Sequence, residues 1–345
     1  MDFTSDNAAG AAPEILEALA RANGGTATSY GADEVTTRLQ KRLSDVFERE
    51  IEVFPVVTGT AANALSLAAL TPAHGGIVCH ELAHVHLDEC GAPEMFSGGA
   101  KLLTAGGAGA KVDPATFAAI LDAYPAGVVH HVQPAALTLT QSTELGTVYS
   151  QAEIGALVEI ARGRALHVHM DGARFANALV RLGCTPAEAT WKAGIDIMSF
   201  GATKNGALAA EAVVVFNSDL AKDLAFRRKR AGHLLSKMRF LSAQLEAYLA
   251  DDLWLRLARH ANEMTDRLAS GLREVAGTSL QTSPEANEIF VRLPSAAIRR
   301  LKEAGARFHP WPMPGDGAEG RTLRLVTSFQ TAPEDVDRFL GILKS

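Results

Sequence analysis

Leu166-His167-Val168-His169-Met170-Asp171-Gly172-Ala173-Arg174 is the stretch on which the fold reading turns. Leu166, Val168 and Met170 alternate with polar residues, as a strand requires, and the run stops at a carboxylate followed by small residues. Gly172 and Ala173 read as a tight turn into a helix. In open α/β sheets, ligands bind beyond the carboxyl ends of strands. Asp171 therefore has two readings: a carboxylate facing a ligand, or the N-cap of the next helix.

Working outward, the same strand–turn–helix alternation recurs. Val53–Val57, Ile77–Cys79, Gly127–Val132, Ile195–Phe200 and Ala212–Phe216 read as further strands. Helical segments, among them Ala61–Leu70 and Gln151–Arg162, separate most of them, and Leu145–Tyr149 reads as a loop. That order predicts an α/β fold, a mostly parallel sheet with helices on both faces. After about residue 240 the pattern changes. Ser242–Ala276 reads as one long helix, shared by two domains in place of a flexible tether. Strands at Glu288–Leu293, Arg307–Trp311 and Thr322–Thr327 follow, with helices at Ser295–Ala304 and Pro333–Leu343. The expected division is a large α/β domain over residues 11–240. A smaller α+β domain takes residues 241–345 together with an N-terminal arm, residues 1–10.

Bulk properties narrow the function classes. The chain carries 33 Lys plus Arg against 39 Asp plus Glu, a net charge of -6, so nucleic acid and anionic membranes are not expected partners. No apolar run is long enough to span a bilayer. The acidic, polar start Met1-Asp2-Phe3-Thr4-Ser5-Asp6 lacks the features of a secretory signal. Cys79, Cys90 and Cys184 are too few and too scattered for a disulfide framework or a zinc site. A cytoplasmic location and a small-molecule substrate are expected.

Four local features converge on one chemistry. Thr58-Gly59-Thr60-Ala61-Ala62-Asn63 follows a strand and opens a helix, where free N–H groups attract an anion such as phosphate. A simple N-cap threonine is the competing reading. Asp171, at its strand end, could hold a pyridinium nitrogen protonated, which pyridoxal phosphate (PLP) needs to accept electrons. Lys204, in Ser199-Phe200-Gly201-Ala202-Thr203-Lys204-Asn205-Gly206, lies past another strand end among small residues. Such a lysine can form a Schiff base; most lysines are surface residues instead. Arg227-Arg228-Lys229-Arg230, with Lys237 and Arg239, is a basic run of which one or two members could reach a phosphate across a subunit boundary.

The histidines divide. His84-Val85-His86 and His167-Val168-His169 have the i, i+2 spacing that puts two imidazoles on one face of a strand, a possible metal site, but neither belongs to a HExxH helix, so no metal is expected. His167 and His169 read as sheet residues. His84 falls in a loop after a strand end, where a ring could stack on a flat cofactor.

Taken in order, Ser5-Asp6-Asn7, Tyr30-Gly31, Gly59-Thr60-Ala61-Ala62-Asn63, His84, Asp171-Gly172-Ala173-Arg174, Lys204 and Arg324-Leu325-Val326-Thr327 resemble the low-specificity L-threonine aldolases. These are PLP enzymes of the β-eliminating lyase group with the aspartate aminotransferase-like fold, known as fold type I. The likeness runs from residue 3 to about residue 340. It implies that Lys204 carries the cofactor, that Asp171 pairs with its ring nitrogen and that His84 stacks on the ring. It further implies that Gly59 and Thr60 hold the phosphate with help from Arg239 of a neighbouring subunit. Ser5, Arg174 and Arg324 would bind the substrate carboxylate, and His131 would lie near the substrate hydroxyl. The implied reaction cleaves L-threonine, L-allo-threonine and related β-hydroxy-α-amino acids to glycine and an aldehyde, in a homotetramer built from catalytic dimers. The chain departs from the better-known members at Thr203 and in a longer segment between Arg230 and Arg239. Alternatives within the fold are another β-eliminating lyase or an amino-acid racemase. Outside it they are a metal-dependent hydrolase using the HxH pairs, or a non-catalytic small-molecule binder.

Overall fold

A computed structural model describes residues 1–344. Its seven-stranded sheet is built from β1 (Glu52–Val56), β2 (Gly75–His80), β3 (Lys101–Ala105), β4 (Gln133–Thr140), β5 (His167–Gly172), β6 (Ile197–Gly201) and β7 (Glu211–Val215), in the order β1-β7-β6-β5-β4-β2-β3. The pairs from β3 through β6 are parallel, while β7 is antiparallel to both β6 and β1. Only β7 thus runs against the others. Six carboxyl ends and the amino end of β7 meet along one edge of the sheet.

The strands of this sheet are buried on both faces. On one side Val78, Leu137, Val168 and Met198 pack with Leu39, Phe117, Leu157 and Leu245 from covering helices. On the other, Ile77, Ala136, Ile197 and Val213 pack on the helix Gly59–Leu70. That helix is almost all apolar and buried nearly all round, because the helix Ala92–Ser97 covers its outer side. A second sheet contains β8 (Ser279–Leu280), β9 (Glu288–Pro294), β10 (His309–Pro310) and β11 (Gly320–Val326), antiparallel throughout in the order β10-β11-β9-β8. Its core joins Ile289, Val291, Leu323 and Leu325 to Leu268, Leu301 and Phe339 from helices and to Phe3 from the N-terminal segment.

The mostly parallel α/β sheet agrees with the sequence reading, and three elements differ. Gly127–Val132 is a turn, with Val129 93% exposed. The Gln133 side chain holds it, accepting from the Gly127 N–H and donating to the carbonyls of Val128 and His131. The strand is the next segment, β4, whose Pro134 stands near its start, where a missing N–H is tolerated. β3 was not anticipated. The long helix is two helices, Arg239–Leu249 and Leu253–Arg273, broken where Asp251 and Asp252 adopt left-handed backbone (φ 49° and 53°).

Close approach at the active edge depends on Gly172. A Cβ there would lie 2.3 Å from Met198 Cε and 2.7 Å from the Ser199 carbonyl oxygen. Gly172→Ala should therefore push β5 from β6 and lower stability by about 1–3 kcal/mol, the usual cost of overpacking. Urea denaturation checks this; an unchanged midpoint would show that the strand ends have slack.

Candidate active site

A cavity of about 390 Å³ opens on the edge where the strand ends meet. The turn after β1 brings Thr58, Gly59 and Thr60, that after β2 brings His84, and the end of β5 brings Asp171, with Arg174 just beyond. The turn after β6 brings Thr203 and Lys204, and reversed β7 begins at Glu211. The Thr58 hydroxyl accepts from the Ala61 N–H at 3.2 Å, so the cap reading of that threonine holds. It does not compete with anion binding, because a Cβ at Gly59 would meet nothing within 4 Å and the helix start stays open.

Asp171 is 4% exposed. Its Oδ1 accepts from the Ala173 N–H at 2.9 Å and its Oδ2 from the Asn63 amide at 2.8 Å. Both donors are neutral, and no ion pair joins Asp171 to a cation among the described residues. Half-buried Lys204 lines the same cavity and makes neither a hydrogen bond nor an ion pair with any described group. A buried carboxylate without a cation is costly. A free amine beside it completes a donor set that fits PLP: an anion site at a helix start, an acid for a ring nitrogen and an amine for an aldehyde.

Asn63 extends this network. Its amide donates also to Glu89 Oε1 at 2.8 Å, which accepts from His84 Nδ1 at 2.9 Å. A carboxylate can only accept, so the His84 proton is assigned to Nδ1, leaving Nε2 as the free acceptor. The hydrogen bond to Glu89 raises the His84 pKa above 6.5 against the opposing effect of burial. Burial pushes Glu89 itself upward, with His84 and Asn63 pulling back.

Arg174 is clamped. Its Nε and Nη2 donate to the two oxygens of Asp6 at 2.8 and 3.1 Å, and Nη1 lies 3.1 Å from Glu288 Oε2. The donations to Asp6 use two of its five N–H groups, while the Glu288 contact is an ion pair in which Oε2 accepts no hydrogen bond. Burial opposes charge on Asp6, but Arg174 and then Lys204 hold its carboxyl below the ordinary value.

Of the other residues singled out, the Ser5 hydroxyl accepts from the N–H of Asn7, which lines the cavity. Arg324 lies over the Trp311 ring and donates to the Thr4 carbonyl at 3.3 Å, while its Nε is buried without a partner. Arg239 lies outside the cavity of its own chain, against the carbonyls of Gly24 and Gly25. His131 is a correction. It precedes β4, at the opposite edge of the sheet, beside Lys101 and Tyr124. The HxH pairs also resolve differently. His84 and His86 sit in a four-residue helix rather than on a strand. His169 is fully buried between Thr138 Oγ at 2.8 Å and Ser199 Oγ at 3.0 Å, and burial lowers its pKa to about 4.

Sequence reasoning assigned no role to Glu89, Glu144 or Glu211, all of which line the cavity. Burial pushes Glu144 and Glu211 up to about 7. Glu89 had a weak signal, falling five residues after His84 and two before Gly91; the other two had none.

Known proteins resemble this chain in sequence and fold. The family model described as beta-eliminating lyase matches residues 2–295. A low specificity L-threonine aldolase from Pseudomonas aeruginosa is 47% identical over 336 residues, 97% of this chain and 94% of that protein. Another, from a Pseudomonas species, is 45% identical over 89% of this chain and 88% of its own length. The solved threonine aldolase of Leishmania major superposes with a TM-score of 0.93 at 27% identity, covering 99% of this chain and 98% of that one.

The His84–Glu89 contact sets a pH dependence. A raised histidine pKa means that the pair contributes stability fully below about 6.5, and that this is lost as pH rises through the higher folded value. In an NMR titration His84 should therefore titrate above the free-imidazole value, and Glu89→Gln should bring its midpoint down. A midpoint that does not move would show that Glu89 does not hold the ring.

Proposed function

This chain belongs to the β-eliminating lyase family, and from that premise we propose that it is a PLP-dependent aldolase. It cleaves L-threonine, L-allo-threonine and related β-hydroxy-α-amino acids to glycine and an aldehyde, and its fold is fold type I. The observation that carries the site reading is the pairing of a buried, cation-free Asp171 with an unpartnered Lys204 in one cavity.

When bound, PLP supplies an aldehyde for an amine and a ring that accepts the electron pair of the broken bond. The chain's own residues do the rest. Lys204 would hold the cofactor through Nζ, and Asp171 would keep the ring nitrogen protonated. The helix start at Gly59 and Thr60 would hold the phosphate by its N–H groups. His84 would cover the ring face, and its Nε2 is free to accept a proton because Glu89 takes Nδ1. The remaining N–H groups of Arg174, with Arg324 and Ser5, would bind the substrate carboxylate. Asp6 and Glu288 orient that fork and keep it charged. Fixing the carboxylate fixes which bond of the α-carbon faces the ring, so these residues act on rate as well as affinity.

The finer readings are a homotetramer of catalytic dimers, in the cytoplasm, with Arg239 reaching the phosphate of a neighbouring subunit. Support for assembly comes from Arg239, too far from its own cavity to line it, and from the exposed side chains of Tyr30, Leu208 and Phe226. Three free thiols suit a reducing compartment.

The reconstituted protein should absorb as a PLP enzyme and release acetaldehyde and glycine from L-threonine. Lys204→Ala should lose that turnover and the adduct trapped by borohydride. A lysine adduct persisting in the variant would move the attachment point elsewhere. 2-Oxobutanoate with ammonia, or D-allo-threonine, in place of acetaldehyde and glycine would replace the aldolase by a lyase or a racemase.

A further inference from the structure

One part of the cavity wall has no role so far. Thr140, Ser142 and Glu144 reach it from the end of β4 and the loop beyond. Glu144 is held through one oxygen only: Oε1 accepts from the His84 backbone N–H and from the Thr140 hydroxyl, each at 2.8 Å. The other oxygen, Oε2, is shielded from solvent and has no hydrogen-bond donor among the described residues. Leaving a buried acceptor unmet costs about 1–3 kcal/mol, more when it is charged. A carboxylate so placed calls for a donor that arrives with a ligand, and a hydroxyl is a donor of that kind.

Resting on the aldolase reading, we propose that Glu144 is a catalytic residue, whose free Oε2 accepts the β-hydroxyl proton of the substrate as the carbon–carbon bond breaks. The O–H electron pair becomes the second bond of the aldehyde carbonyl. The pair of the broken carbon–carbon bond stays with the glycine fragment, whose α-carbon then takes a proton. Glu144 afterwards gives its proton to solvent, so charge balances and no oxidant or reductant is needed.

The groups around Glu144 suit this task. Burial pushes its carboxyl up to about 7, against the pull of the His84 N–H and the Thr140 hydroxyl, and the charge of Asp171 on β5 adds to the push. Cys79 on β2 and Tyr149 after the loop also face it; burial raises both, Cys79 to about 12, and leaves them neutral. His84 and Glu89 flank it through the His84 backbone. A base is most effective when its pKa lies near the working pH.

The test is E144Q, which preserves size and whose amide oxygen can still accept from His84 and Thr140. L-Threonine cleavage should fall by about a hundredfold or more. The rise of kcat/KM through about pH 7 should disappear with it. Exchange of the glycine α-proton with deuterium, which involves no hydroxyl, should continue as in the wild type. In the cofactor-free protein, the infrared band of a protonated carboxyl that titrates near pH 7 should appear in the wild-type-minus-variant difference, in which that of Glu211 cancels. Threonine cleavage at the wild-type rate in E144Q would overturn the proposal alone. So would a loss of glycine exchange in step with cleavage, because that marks a structural role. A wild type that releases no aldehyde would overturn the aldolase reading and this proposal together.

Discussion

A negative charge kept at the end of a buried strand governs the rest of the molecule. Asp171 is nearly inaccessible, and it is satisfied by one backbone N–H and one amide rather than by a cation. Burial of that kind is expensive unless a positive group completes it. Its consequences spread outward. Asn63 must face the carboxylate, which ties the helix Gly59–Leu70 to the sheet edge and passes the contact on to Glu89 and His84. The neighbouring acids Glu144 and Glu211 cannot ionise freely beside it, so burial and the Asp171 charge hold both near neutrality. A buried carboxyl without a cation, beside two acids that burial pushes up to about 7, is the electrostatic character of the cavity.

Topology makes this concentration possible. Six strands deliver their carboxyl ends to one edge, and β7 delivers Glu211 there by running the other way. Residues 58–60, 84, 144, 171 and 204 are far apart in the chain but adjacent at that edge. The second sheet contributes through Glu288 at the start of β9, which meets Arg174, while the N-terminal segment contributes Asp6 to the same guanidinium. Arg174 thus joins three remote parts of the chain.

Much of this was legible in the sequence where local chemistry is unambiguous. An alternating run that stops at Asp-Gly reads as a strand end, and small residues around Lys204 read as space. Legibility failed where an element is defined by distant partners. Gly127–Val132 has strand composition but is a turn closed by the Gln133 side chain, and the true strand carries Pro134. His131, which the resemblance implied lay near the substrate hydroxyl, stands at the opposite edge, beside Lys101 and Tyr124. Glu144 looks like any loop glutamate; only the fold brings it under the His84 N–H and away from water. Arg174 was legible as a cation past a strand end, but its occupation by Asp6 and Glu288 was not.

The central claim is that the Asp171 charge exists to keep the cofactor ring nitrogen protonated. Nitrogen-15 NMR of the protein reconstituted with ring-labelled PLP reads that proton directly. The expected result is a protonated nitrogen in the wild type and an unprotonated one in Asp171→Asn, with cofactor bound in both. The same protonation state in the two proteins would contradict the account.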